Sequence, residues 1–459
     1  MEQITKPHCG ARLDRLPDCR WHSSMFAIVA FGLLVCWSNA VGGLILAQLK
    51  ALGWTDNSTT ATFSAITTAG MFLGALVGGI IGDKTGRRNA FILYEAIHIA
   101  SMVVGAFSPN MDFLIACRFV MGVGLGALLV TLFAGFTEYM PGRNRGTWSS
   151  RVSFIGNWSY PLCSLIAMGL TPLISAEWNW RGQLLIPPIF SLIATARAWR
   201  YFPESPRWLE SRGRYKEAEK VMRSIEEGVI HQTGKPLPPV VIADDGKTPQ
   251  AVPYSALLTG VLLKRVILGS CVLIAMNVVQ YTLINWLPTI FMTQGINLKD
   301  SIVLNTMSMF GAPFGIFIAM LVMDKIPRKT MGVGLLILIA VLGYIYSLQT
   351  SMLLITLIGF FLITFVYMYV CYASAVYVPE IWPTEAKLRG SGLANAVGRI
   401  SGIAAPYAVA VLLSSYGVTG VFILLGAVSI IVAIAIATIG IETKGVSVES
   451  LSIDAVANK

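Results

Sequence analysis

The side chains with the most chemical reach in this chain are charges set where charge is costly. Arg118 falls about six residues into an apolar run, roughly 9 Å deep if the run is an α-helix rising 1.5 Å per residue. A guanidinium left in hydrocarbon there costs at least about 2.5 kcal/mol, so it must face protein or a wet cavity. It could bind an anionic solute or tune a proton-carrying group; the competing reading is a side chain that snorkels to the nearby interface. Glu95 is the carboxylate that lies well inside such a run, and His98 follows at i+3 on the same helix face. A carboxyl among apolar helices could carry a proton, and an imidazole beside it could share it. Against that stands a structural reading: Glu95 is only about 9 Å from one end of its run and would pair there with an Arg. Enzyme chemistry has little to work with. The four His and seven Cys are scattered, and neither metal nor nucleophile spacing nor a phosphate-cradling Gly-x4-Gly-Lys-Ser/Thr loop is evident. No cofactor or metal is implied.

The elements that must hold these charges are membrane helices. Of 459 residues, 55% are hydrophobic and only 13% charged, where a soluble domain carries roughly a quarter. At about 20 residues per crossing, the apolar residues suffice for roughly a dozen helical spans. The runs fall near residues 24–49, 61–82, 89–107, 112–137, 149–174 and 183–202, then 265–290, 301–323, 330–348, 352–378, 391–413 and 418–440. Pro187-Pro188 should bend or loosen the sixth. A polar stretch, 203–264, separates the two sets, helical in pattern from Arg212 to Glu227 and then Pro-rich. The tails are 1–23 and 441–459. The net charge of +10 is a matter of topology. Lys84, Arg87, Arg88, Arg143, Arg145, Lys325, Arg328, Lys329, Lys387 and Arg389 occupy loops on one side, against Lys50, Arg181 and Lys299 on the other. The excess of positive charge puts both termini and the linker in the cytoplasm.

A repeat crosses the linker. Gly74 with Asp83-Lys84-Thr85-Gly86-Arg87-Arg88 recurs 241 residues on as Gly315 with Asp324-Lys325-Ile326-Pro327-Arg328-Lys329. Glu138-Tyr139-Met140-Pro141 recurs 242 on as Glu380-Ile381-Trp382-Pro383, and Glu204 has a fainter echo in Glu442. Two six-span halves from one unit are implied, an architecture whose substrate site lies at the midplane between them.

With these motifs the chain resembles the major facilitator superfamily, specifically its sugar-porter branch and the related metabolite–proton symporters. Pro203-Glu204-Ser205-Pro206-Arg207-Trp208-Leu209 after the sixth span carries the resemblance most specifically, together with the Gly79 to Arg88 loop, the Arg118 to Gly126 run and the two Glu-x2-Pro ends. The resemblance implies an all-α membrane fold of twelve helices in two pseudo-symmetric bundles of the bacterial inner membrane. It implies a cytoplasmic gate of ion pairs between bundles, drawn from Asp83, Arg87, Arg88, Glu138, Arg145 and Glu204 and from Asp324, Arg328, Glu380, Arg389 and Glu442. Exposed pairs contribute about 0–1 kcal/mol each, so several are needed to bias a two-state equilibrium. Substrate contacts implied in the cavity helices are Trp37, Asn39, Arg118, Asn157, Trp158, Asn277, Gln280, Asn285 and Trp286, with Asn395 and Arg399 nearer the gate. Amides can pair with hydroxyls and indoles can stack on sugar rings, although each could equally join helices. Ser38 stands where proton-coupled sugar porters have an Asp, and Ala275, Met276 and Ser153 replace hexose-binding Gln residues. The expected solute is therefore a sugar, sugar acid, polyol or organic acid, carried by a monomeric secondary transporter, with protons as the candidate coupled ion and Arg118, Glu95 and His98 as the candidate coupling residues. A facilitative uniporter, an exporter and a non-transporting nutrient sensor are the alternatives. Lipid is the remaining partner; nucleic acid is not one.

Overall fold

The computed structural model describes residues 7–17, 19–33, 36–141, 145–240, 253–323, 325–383 and 386–444. Its described residues form helices and no strands. The chain begins with the short α1, Cys9–Asp14, and then enters α2, Arg20–Leu33, and α3, Trp37–Ala51. Next come α4, Asn57–Thr85, α5, Arg87–Ala106, α6, Met111–Tyr139, α7, Arg145–Asn157, α8, Ser159–Leu170, and α9, Ala176–Tyr201. The linker supplies α10, Pro206–Ser211, α11, Tyr215–Thr233, and α12, Tyr254–Leu257. Beyond it lie α13, Gly260–Thr293, α14, Leu298–Met309, α15, Gly311–Val322, α16, Arg328–Ser347, and α17, Met352–Cys371. A π-helical turn, Tyr372–Tyr377, leads to α18, Val378–Glu380, and the chain ends its helices with α19, Lys387–Ile439.

These helices cover each apolar run, and nine stretches among the described residues are long and apolar enough to cross a membrane. The last of them covers two expected spans: α19 is continuous apart from Gly417, whose φ of 65° turns the chain. The fifth run is divided at Trp158 into α7 and α8, and α9 passes through Pro187 and Pro188 without a break. Side chains close several helix starts. Asn110 accepts from the Phe113 N–H, Ser205 from that of Trp208 and Asn297 from that of Asp300, each satisfying a donor that the helix cannot.

By contacts the chain divides into two compact units. The first is Met1–Asn39, Gly70–Ser159 and Leu184–Gly246; the second is Ala40–Ala69, Tyr160–Gln183 and Lys247–Lys459. In the first, α4 and α6 cross with their backbones in contact: a Cβ on Gly70 would lie 2.3 Å from the Phe119 carbonyl oxygen, and one on Gly74 2.1 Å from that of Val123. In the second, α15 meets α17 in the same way, with Gly311 on the Phe360 carbonyl (2.4 Å) and Gly315 on that of Thr364 (2.3 Å). All four positions are related by the 241-residue displacement. Close approach of this kind replaces the hydrophobic drive that helices lack inside a bilayer.

Candidate functional site

The buried charges of the first unit converge. Arg118 on α6 is 2% exposed and donates from Nη1 to the Ser38 carbonyl at 2.6 Å. Glu95 and His98 on α5 are wholly buried, with His98 Nδ1 4.0 Å from Glu95 Oε2 and 3.4 Å from the Ser191 hydroxyl of α9. The Arg expected to neutralise Glu95 is not in contact: the titratable neighbour within 4.0 Å, among the described residues, is the imidazole of His98. Snorkelling does not describe Arg118 either, since its guanidinium is turned to a neighbouring helix's backbone. Trp37 stacks on Phe190 at 5.6 Å in the same unit, and its indole N–H has no protein acceptor.

On the linker side, the repeated charges form one arrangement twice. Arg87, at the start of α5, donates to Glu138 at the end of α6 (2.8 and 2.9 Å) and to Asp83 at 2.7 Å. Glu204, just past α9, accepts from the backbone N–H groups of Arg87 (2.6 Å) and Arg88 (3.2 Å). In the second unit Arg328, at the start of α16, donates to Glu380 (3.0 and 3.1 Å), while Glu442 accepts from the N–H groups of Arg328 (2.7 Å) and Lys329 (3.1 Å). A carboxylate at the first turn of a helix satisfies free N–H donors and meets the positive end of the dipole. A tyrosine fastens each chain segment that brings the carboxylate: Tyr139 donates to the Pro203 carbonyl at 2.6 Å, and the Ile441 N–H donates to Tyr377 at 2.9 Å. Gly86 enters α5 at φ 97°, whereas Pro327 enters α16 at φ −56°, so the second copy needs no glycine there. Of the remaining residues in this set, Arg389 lies 5.1 Å from the Tyr254 ring. Asp324 and the side chain of Arg145 lie outside the described residues.

The polar and aromatic candidates fall in both units. In the first, Asn39 is buried, Asn157 donates to the Ser153 carbonyl (2.8 Å), and Trp158 meets Phe154 edge-on while remaining 37% exposed. In the second, Asn277 is spent on the Leu273 carbonyl (2.7 Å), Asn285 and Trp286 are buried with the Trp286 N–H unsatisfied, and Gln280 is half-buried. Asn395 donates to the Ser391 carbonyl, and Arg399 is half-buried. An indole N–H without an acceptor, as in Trp37 and Trp286, is a group a polar solute could satisfy.

Sequence reasoning left the N-terminal tail without structure, yet its first helix is docked. Cys9, Leu13 and Leu16 join Trp208, Leu209, Ala218, Met222, Ile225 and Val229 in one apolar cluster. Around it Arg12 bonds to Glu219 and Glu226, Arg15 to Glu226, and Arg207 to Asp14. The α10 residues reach on to the span ends: Arg207 to the Glu138 carbonyl (3.0 Å) and Trp208 to that of Asp83 (2.7 Å). The available signal was the spacing of Ala218, Met222, Ile225 and Val229 along α11, an apolar stripe that needs a partner.

Residues 24–455 match the family described as "Sugar (and other) transporter", and the chain belongs to that family, one of transporters and not of enzymes. YdjK of Escherichia coli (strain K12), provisionally named for metabolite transport, is 98% identical over 459 residues spanning all of both chains. The inner membrane metabolite transport protein YdjE of the same strain is 44% identical over 98% of this chain and 99% of its own. The niacin transporter NiaP of Acinetobacter baylyi is 26% identical over 96% and 99%. Among solved structures, the partially occluded inward open xylose transporter XylE from E. coli superposes with a TM-score of 0.73 at 18% identity, over 93% of this chain and all of that one. The fold is therefore the major facilitator fold, as the motifs implied.

Proposed function

We propose that this protein is a secondary transporter that moves a small polar metabolite across the inner membrane by alternating access, with both termini cytoplasmic and with protons as the co-transported ion. The observation that carries the proton assignment is the buried grouping of Glu95 and His98 in the unit that also buries Arg118: with no Arg in contact, burial of the carboxyl favours its holding a proton, which the imidazole beside it can share. Glu95 thus takes the part that Ser38 cannot play on the first span. Unsatisfied indoles at Trp37 and Trp286 favour a solute with hydroxyl or carboxylate acceptors. Within the second unit, Asn57 donates to Ser414 (2.9 Å) and Asn305 to Ser164 (3.0 Å), contacts that must break for solute to enter from the far side.

The test starts from a thermal-shift screen of sugars, sugar acids, polyols and organic acids, followed by reconstitution with the stabilising solute. An inward proton gradient should drive its accumulation. Glu95→Gln should abolish the response to the gradient while leaving solute exchange across the vesicle. Wild-type uptake indifferent to the gradient would leave facilitated diffusion or exchange, and binding without uptake would leave a sensor.

A further inference from the structure

A concavity of about 680 Å³ lies in the first unit between the end of α9, the start of α5 and one face of α11. Its walls carry four cations, Arg88, Arg200, Arg214 and Lys220, against Glu204 and Glu217. Both acids are already engaged. Glu204 holds the backbone N–H groups of Arg87 and Arg88, and Glu217 holds Arg214 at 2.5 and 2.7 Å. Arg88 turns to the Trp199 carbonyl and lies 5.9 Å from that ring. Among the described residues Arg88, Arg200 and Lys220 form no ion pair, so the pocket holds positive charge without an anion to answer it. Pockets of this kind between helices suit phosphate headgroups.

What distinguishes this pocket from a patch of solvated lysines is its position along α9. Trp199 and Tyr201 are 65% and 56% exposed, at the helix end where indole and phenol rings sit at headgroup depth. Two to three turns toward the helix centre, the same face exposes Ile189, Leu192 and Ile193 at 55%, 56% and 44%. An apolar stripe continuous with a cationic pocket, with aromatic rings at the junction, has the layout of a phospholipid. We infer that the pocket is a binding site for an anionic phospholipid, with its phosphate held by Arg88, Arg200 and Lys220 and its acyl chains lying along the outer face of α9. A soluble phosphate would use the same cations but would have no use for the exposed apolar face.

Native mass spectrometry of the full chain, released from nanodiscs of phosphatidylethanolamine with and without phosphatidylglycerol, tests the assignment. Wild type should retain phosphatidylglycerol in preference to phosphatidylethanolamine. The exposed double variant R200Q/K220Q should lose that preference by roughly thirtyfold, at the strength expected for two cations near a membrane surface. R200K/K220R keeps the charge and should keep the lipid. K216Q/K235Q removes the same charge elsewhere on the linker and should leave retention unchanged. Equal loss in K216Q/K235Q, no preference in wild type, or an undiminished preference in R200Q/K220Q would each overturn the inference. Displacement of the retained lipid by free glycerol phosphate would reassign the pocket to a soluble phosphate.

Discussion

Gly86 stands at φ 97°, and a Cβ there would come 2.2 Å from Glu204 Oε2. An alanine must therefore adopt a left-handed backbone and push away the carboxylate that caps α5. The backbone term alone is about 1–3 kcal/mol. Gly79, seven residues earlier, has nothing within 4 Å of the corresponding position and lies inside α4. Alanine there should stabilise by about 0.8–1.0 kcal/mol through helix propensity. In thermal unfolding of the purified protein, Gly86→Ala should lower Tm and Gly79→Ala should raise it slightly. If Gly86→Ala unfolds with wild type, Glu204 is not what organises this turn. The two glycines look alike in the Gly79 to Arg88 motif. Their difference depends on Glu204, more than a hundred residues away, and so could not be read from local sequence. Arg118 and Glu95 were legible for the opposite reason: a charge in an apolar run declares itself. Their partners were not, because a helix face specifies direction but not which neighbour lies across from it.

At the scale of elements, the spans were the legible part, since roughly 20 apolar residues in a row leave a chain few alternatives. The terminal helix α1 was not. Six residues cannot sustain a helix alone, and α1 exists because α10 and α11 hold it. Glu210 accepts from the N–H groups of His8 (3.1 Å) and Cys9 (2.8 Å), and Arg12 reaches Glu226 through two nitrogens at 2.7 and 3.0 Å. Burial, with Glu210 alongside, pushes the Cys9 thiol up to about 12, so a docked tail keeps that thiol protonated and unreactive. Cys9 is then a built-in reporter of docking. Arg12→Ala removes a partly buried, charge-assisted network, and a loss of about 1–2 kcal/mol should speed alkylation of Cys9 roughly tenfold. Alkylation of the Cys9 peptide, quantified by mass spectrometry at fixed pH, measures it. Equal rates in the two proteins, or a wild-type rate matching a free thiol, would mean the tail is not held by Arg12.

Across the whole molecule the repeat is more faithful in geometry than in sequence: helix start, helix end and capping carboxylate recur although Gly86 becomes Pro327 and the Glu204 motif is barely recognisable around Glu442. Geometry alone does not make the two copies equivalent, because their surroundings differ. Burial outweighs the backbone donors at Glu204 and raises its carboxyl above the ordinary range. At Glu442 burial is opposed more successfully by the N–H groups of Arg328, Lys329 and Lys444, and its carboxyl is lowered. Linkage converts this difference into opposite pH dependences. A raised carboxyl favours the native state below the unfolded value of about 4.3 and loses that contribution as pH rises through the native value. A lowered one contributes above about 4.3 and loses its contribution as pH falls through the native value. Wild type and the variants Glu204→Gln and Glu442→Gln should therefore diverge in opposite senses when Tm is followed from acid to neutral pH. The stability of wild type relative to Glu204→Gln should shrink as pH rises through and above the ordinary Glu range. Relative to Glu442→Gln it should shrink as pH falls below that range. Parallel curves for the two variants would show that the two carboxylates occupy equivalent environments, and the asymmetry between the halves would then have to come from elsewhere.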